Sequence, residues 1–385
     1  MASNSKKSAP PAQSASMPDP VIPAASTGSA GQSPASQTNQ SASIITAVVP
    51  KRRPTLSDVA ELCGVTAATV SRVLNDKKKF STSDAVRERI FDTARKLGYV
   101  PDLSARNLSR RSTHIIGLFA SPQTHVAEGI NESLIEGLAE VLHAGGYDVF
   151  FELSPIQNVK NALPFWRFDG AILMQSPKPE TVMELDRRRV PYVCVNERVG
   201  RPAAYILADD AMGMKRAVMH LIQFGHKRFA YANARAAYFS HYSVTERYET
   251  LLATAREYGI KLVAGHDTPL ASATEFLRGA VIEGGATAVI TYDHQIAVML
   301  VGAANGMGLR IPSDFSLICF NDVFPVALLH PPLTAVAVAG REMGRQGADL
   351  LLNCLLTSRP HPGREIRVAE DLIVRASTGR PRSGN

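Results

Sequence analysis

The sequence predicts a small all-helical unit followed by a larger α/β body. Three observations carry that prediction. Between residues 54 and 97, apolar residues recur at helical spacing in three short runs. After Arg111, short apolar runs alternate with amphipathic stretches, the pattern of parallel strands covered by helices. Basic charge is also confined to one place. The chain carries +7 overall, and residues 51–111 hold 14 Lys/Arg against 7 Asp/Glu, whereas residues 1–50 add +1 and the rest −1.

The opening stretch comes first. Residues 1–50 contain 11 Ser, 10 Ala and 7 Pro. Such a composition buries too little apolar surface to offset its ordering entropy, so 1–51 reads as a disordered tail, with Met17 as a second candidate start. It has no apolar core behind Lys6 and Lys7, so it does not read as a secretory signal.

In the first helix, SDVAELCG, Ser57 is a candidate cap, Val59, Ala60 and Leu62 form the apolar side, and Gly64 ends it. The second, TAATVSRVLN, takes Thr66 as cap and turns Val70, Val73 and Leu74 inward. In the third, DAVRERIFDTARKLG, Val86, Ile90, Ala94 and Leu97 share a face and Gly98 closes the end.

Strand candidates in the body are 114–120, 147–153, 169–175, 192–196, 204–209, 228–234, 287–293 and 316–322. Helical stretches are expected at 130–144, 179–188, 211–224, 244–258, 294–307 and 340–356. About 270 residues exceed one ordinary sheet of this kind, so two similar lobes are expected. No apolar run is long enough for a membrane span. The four cysteines are scattered, with no C-x-x-C, and read as reduced thiols of a cytosolic protein rather than a metal site.

A compact basic module beside a near-neutral body suggests a polyanion partner, although a merely solvated basic surface explains the charge equally well. The spacing in 55–75 goes further. Two helices joined by a tight turn at Cys63-Gly64-Val65 have helix-turn-helix geometry, with an ordinary helical hairpin as the alternative. The second helix presents Ala67, Ala68, Ser71 and Arg72 to a major groove. Thr55, Thr66, Thr69, Ser71 and Asn75 are short polar groups suited to phosphates. Arg72 suits a guanine edge, and the alanine methyls suit thymine methyls.

These residues also resemble a known family. Thr55-Leu56-x-Asp58-Val59-Ala60, Gly64-Val65, Thr69-Val70-Ser71-Arg72-Val73-Leu74-Asn75, Leu97-Gly98-Tyr99-x-Pro101, Ala105-Arg106-x-Leu108 and Ile116-Gly117 resemble the headpiece and hinge of the lactose-repressor/galactose-repressor family of bacterial transcription regulators. The likeness continues through Asp169-Gly170, His220-Leu221, Gly225-His226-Lys227-Arg228, Gly308-Leu309-Arg310-Ile311-Pro312, Pro331-Pro332-Leu333-Thr334 and Arg375-x-Ser377. It implies a three-helix helix-turn-helix headpiece at 52–101 and a hinge helix at 102–112. A two-lobed, doubly wound α/β sensor domain follows at 113–385, similar to periplasmic sugar-binding proteins. It further implies that Leu108 wedges into the minor groove, that Arg106 lies beside it, and that Tyr99 and Leu56 belong to the DNA-contacting set. The chain departs from the pattern in a longer loop after Asn75, which carries Lys77, Lys78 and Lys79, and in Asp102.

In the sensor, the resemblance assigns Arg247 to the effector, with His241 and Ser243 beside it. TYDHQ leaves either Asp293 or His294 at the position where the family carries an aspartate, and Asn131 stands at an aromatic position. Arg247 and His241 as donors, with His294 in place of a carboxylate, favour a sugar acid or sugar phosphate over a neutral sugar. No G-x-S-x-G, P-loop, H-E-x-x-H or G-x-G-x-x-G follows a strand, so the reading is non-enzymatic, with no catalytic residues, cofactor or metal. The expected partners are double-stranded operator DNA, a small effector and a second copy of the chain, with no membrane.

Overall fold

The computed structural model describes residues 52, 54–74, 80–100, 112–120, 129–152, 168–174, 177–236, 240–263, 269–357 and 363–382. The expected tail, the hinge residues 102–111, the lysine loop and Asn75 lie outside these residues. The chain divides into two units, one within 1–100 and one within 101–385.

The first unit holds α1 (Leu56–Cys63), α2 (Ala67–Leu74) and α3 (Asp84–Leu97). Thr55, rather than Ser57, caps α1. Its hydroxyl meets the Asp58 amide, and the Asp58 carboxylate accepts from the Thr55 amide at 2.7 Å. This reciprocal box satisfies two donors that a helix start leaves open, which sets the boundary two residues earlier than expected. Gly64 closes α1 at φ 62°, where a side chain would be strained. Val59, Cys63, Val70, Val73 and Ile90 form the core. Leu62, expected on the apolar side, is 63% exposed because the core takes Val59, Ala60 and Cys63 instead.

The second unit contains two parallel sheets. The first joins β1 (Ile115–Phe119), β2 (Asp148–Glu152), β3 (Gly170–Met174), β4 (Tyr192–Val195), β5 (Ala204–Ala208) and β11 (Arg364–Val368), in the order β11-β5-β4-β3-β1-β2. The second joins β6 (Arg228–Ala232), β7 (Lys261–Leu262), β8 (Ala288–Thr291), β9 (Ser316–Phe320), β10 (Thr334–Ala337) and β12 (Asp371–Ile373), in the order β12-β10-β9-β8-β6-β7. Only β12 runs antiparallel to its neighbour. The central strands are buried along their length, so they read as continuous apolar runs rather than as alternations.

Helices α4 (Ile130–Ala144), α5 (Pro179–Arg188) and α10 (Gly340–Thr357) belong with the first sheet. Helices α6 (Asp210–Gln223), α7 (Tyr242–Glu257), α8 (Ala273–Leu277) and α9 (His294–Gly306) belong with the second. A short π-helix at Arg278–Glu283 extends α8. The chain crosses between lobes between β5 and α6, between β10 and α10, and between β11 and β12. Glycines let α4 and α10 touch: a Cβ on Gly344 or Gly137 would lie about 2 Å from a backbone oxygen of the facing helix. All four cysteines are buried and free. Among the described residues, no helix is long and apolar enough to cross a membrane.

Candidate functional site

In the helical unit, α2 is held by Val70 and Val73, which are fully buried. Because residues four apart share a helical face, Ala68 and Arg72 project together and are exposed, while Ala67, Thr69 and Ser71 are half-buried beside them. Thr66 caps the helix: the Thr69 amide donates to its hydroxyl at 3.2 Å, and the two hydroxyls lie 2.9 Å apart. At the N-terminus of α1, Arg52 donates to Asp58 at 3.0 Å. The Thr55 amide and hydroxyl, together with Arg52, hold the Asp58 carboxyl below its ordinary value. Leu56 and Tyr99 pack on the core of this unit. The exposed set is short-chained and uncharged apart from Arg72, so that face is thin and positively tipped. Such a surface suits base edges better than a bulky or acidic one. Arg106 and Leu108 lie outside the described residues, as does Asn75.

In the body, four of the sequence-predicted residues converge. Ring nitrogens of His241 lie 2.7 Å from the Ser243 hydroxyl and 3.0 Å from the Asn196 carbonyl. Ser243 meets the Tyr292 hydroxyl at 2.9 Å, and Arg247 Nη1 donates to the Tyr292 carbonyl at 2.5 Å. Asp293 follows and caps α9, accepting from the Ile296 amide at 2.8 Å. His294 is the first residue of that helix, half-buried, and Asn131 stands buried on α4 in the other lobe. The contact from His241 to Asn196, with that from the Tyr242 hydroxyl to the Asn196 side chain at 3.1 Å, spans the two lobes.

Arg247 is buried and not free. Its Nε donates to Asp210 at 2.5 Å, Glu370 lies 3.9 Å away, and its guanidinium stacks 3.9 Å from the Phe320 ring centroid. Burial alone would lower the guanidinium, but Asp210 and Glu370 outweigh that and raise it. Burial, reinforced by Asp210, drives the Glu370 carboxyl well above its ordinary value. Sequence reasoning did not place Asp210 in the site. It missed Glu370, Tyr292 and Asn196, whose roles depend on crossovers that bring distant segments together. Asn321 was also missed. It adopts φ 73° after β9, with a buried side-chain oxygen that has no hydrogen-bond partner. Among the described residues, no group of His, Cys, Asp and Glu is placed to hold a metal ion.

Comparisons with known proteins agree with this division. Residues 55–102 match the family model described as bacterial regulatory proteins, lacI family, and residues 218–378 match the periplasmic binding protein-like domain. The transcriptional regulator CelR of Thermobifida fusca is 29% identical over 342 residues, covering 85% of this chain and 99% of the relative. A probable transcriptional repressor, ExuR of Bacillus subtilis, is 26% identical, covering 85% and 98%. In three dimensions, the lac repressor dimer bound to operator and an anti-inducer superposes with TM-score 0.73 at 22% identity, covering 85% of this chain and all of that one. These relatives are named as regulators of transcription rather than enzymes.

Proposed function

Because the chain belongs to the lactose-repressor/galactose-repressor family of bacterial transcriptional regulators, we propose that it is a ligand-responsive repressor that binds a palindromic operator as a homodimer. The observation that carries this reading is α2, capped by Thr66 and anchored by Val70 and Val73, with Ala68 and Arg72 on its open face. One such helix reads one half-site, so a two-fold partner supplies the second. Phe324 and Leu328, 80% and 77% exposed on the body, offer apolar area for that partner. The hinge at 102–112, with Arg106 and Leu108, kinks the centre of the site. A regulator of this kind works in the cytoplasm, where its operator lies. An activator or dual regulator is the alternative within the same family, and a solute-binding protein is the rival for the body alone.

The effector is a small carbohydrate derivative bound between the lobes near His241, Ser243, Arg247 and Asp293. The charge count in the sequence favours an acid. Asp210 already matches the charge of Arg247, so an anionic effector has to compete with that pair, whereas sugar hydroxyls add to it. Its binding changes DNA affinity only as far as it prefers one lobe arrangement. Calorimetry with neutral sugars, sugar acids and sugar phosphates separates these classes. Replacing Arg72 with alanine should cost roughly 1–3 kcal/mol of operator binding. An unchanged affinity, or a stable monomer by light scattering at micromolar concentration, overturns the reading.

A further inference from the structure

We infer that Phe80 is a positioning residue of the DNA-reading surface, its ring holding the Arg72 guanidinium ready for a base edge. The inference rests on the reading of α2 given above. The Arg72 guanidinium carbon lies 5.2 Å from the Phe80 ring centroid, within cation–π range. Among the described residues, Arg72 has no ion pair or hydrogen bond from its side chain, so the ring is what orients it.

Phe80 is itself fixed. It packs on the core of the helical unit, and Arg87, from the first turn of α3, donates to its carbonyl at 3.5 Å. The chemistry of the pair is directional. Stacking uses the face of the guanidinium, whereas its N–H donors lie in the plane and point from the edge. A stacked arginine can therefore still donate two parallel bonds to guanine O6 and N7. An exposed arginine on a free stem must lose rotamer freedom on binding, and the ring removes part of that loss beforehand. The neighbouring reading positions are Ala67 and Ala68, which supply methyl contacts only. Of the side chains that α2 presents, Arg72 is the one bidentate donor, so base choice in each half-site leans on it and on what holds it.

The test uses the full-length protein and a duplex selected by it from a library with randomised half-sites, with random duplex as control. Phe80→Leu keeps apolar volume on the core but removes the ring. It should weaken the selected duplex by about two- to five-fold, the usual size of an exposed cation–π contact, and leave random duplex unchanged. Phe80→Tyr should restore the selected affinity. In an Arg72→Ala background, Phe80→Leu should cost nothing further. A Phe80→Leu loss that persists in that background, or falls equally on random duplex, shows a merely structural ring and overturns the inference. So does an unchanged affinity. If Arg72→Ala itself binds the selected duplex as the parent does, the reading of α2 fails and the inference falls with it.

Discussion

Arg247 and Asp210 form a buried ion pair, with Nε donating to Oδ1 at 2.5 Å, and Glu370 stands just beyond it. Asp210 opens α6 at one crossover and Glu370 lies at another, between β11 and β12. The charges of this cluster thus sit where the lobes join. Gly213 makes room for it: a Cβ there would lie 1.9 Å from Glu370 Oε2. Burial and the neighbouring Asp210 charge disfavour a second ionised carboxylate beside this guanidinium.

That arrangement fixes a pH dependence. The folded Glu370 carboxyl titrates well above its ordinary value of 4.5, so the folded state holds a proton that the unfolded chain releases. Stability from this group is complete below pH 4.5 and declines as pH rises from there through the raised value. Glu370→Gln mimics the acid form and should remove the decline. Urea denaturation at several pH values checks this, with the gain of the variant over the parent growing as pH rises. A constant difference would place an ionised carboxylate at that position. Asp210→Ala, in contrast, leaves Arg247 only the more distant Glu370 at 3.9 Å and should cost up to about 3 kcal/mol.

The strands of both central sheet regions were legible because fully buried parallel strands are apolar along their length, as in GAILM and SLICF. Two of the missed elements, both at sheet edges, lack that signature. β11 is REIRV, an edge strand with exposed charged residues, and β7 has two residues. The helix-turn-helix was legible because its caps, turn and core are local: Thr66, Gly64 and Val70 lie within one short segment. The body site was half legible. His241 caps the helix that carries Ser243 and Arg247, so the three are neighbours in sequence, but Asp210, Tyr292 and Glu370 reach them only through topology.

His226 locks the C-terminal segment onto the second lobe. One ring nitrogen lies 2.8 Å from the Gly379 carbonyl and therefore carries the proton, so the other accepts from Thr287 at 2.9 Å. Burial holds this ring below its ordinary 6.5. The unfolded chain then takes up a proton first on acidification, so stability from this site is full above pH 6.5 and is lost as pH falls below it. His226→Gln should lower the melting temperature at pH 8 and narrow its gap to the parent towards pH 5. Parallel curves at the two pH values would exclude the assignment.

On the proposed reading, Leu108 should separate specific from non-specific binding. An apolar wedge gains only where the duplex is kinked, and only the specific complex is kinked. Leu108→Ala should weaken operator binding strongly and leave random-duplex affinity nearly intact. Equal losses on both duplexes, measured by anisotropy titration at one salt concentration, would remove the wedge from the mechanism.

Asp169 governs the point where the chain enters the body. Its carboxylate accepts from the Ser112 hydroxyl at 2.5 Å, from the Thr113 amide and hydroxyl at 2.6 and 2.8 Å, and from the His114 amide at 2.9 Å. Burial opposes the charge, but these donors outweigh it and hold the carboxyl below its ordinary 3.8. Its contribution is therefore present above pH 3.8 and lost as pH falls through the depressed value. Four donors on one carboxylate tie residues 112–114 to the start of β3. Asp169→Asn keeps the shape but turns an NH2 group towards donors, so at least one bond is lost and replaced by repulsion. It should cost about 1–3 kcal/mol of body stability near neutral pH. Exchange of the Thr113 and His114 amides should accelerate before that of β4. Protection that stays equal to the parent at those two amides would show that the chain entry is held by β1 pairing and not by Asp169.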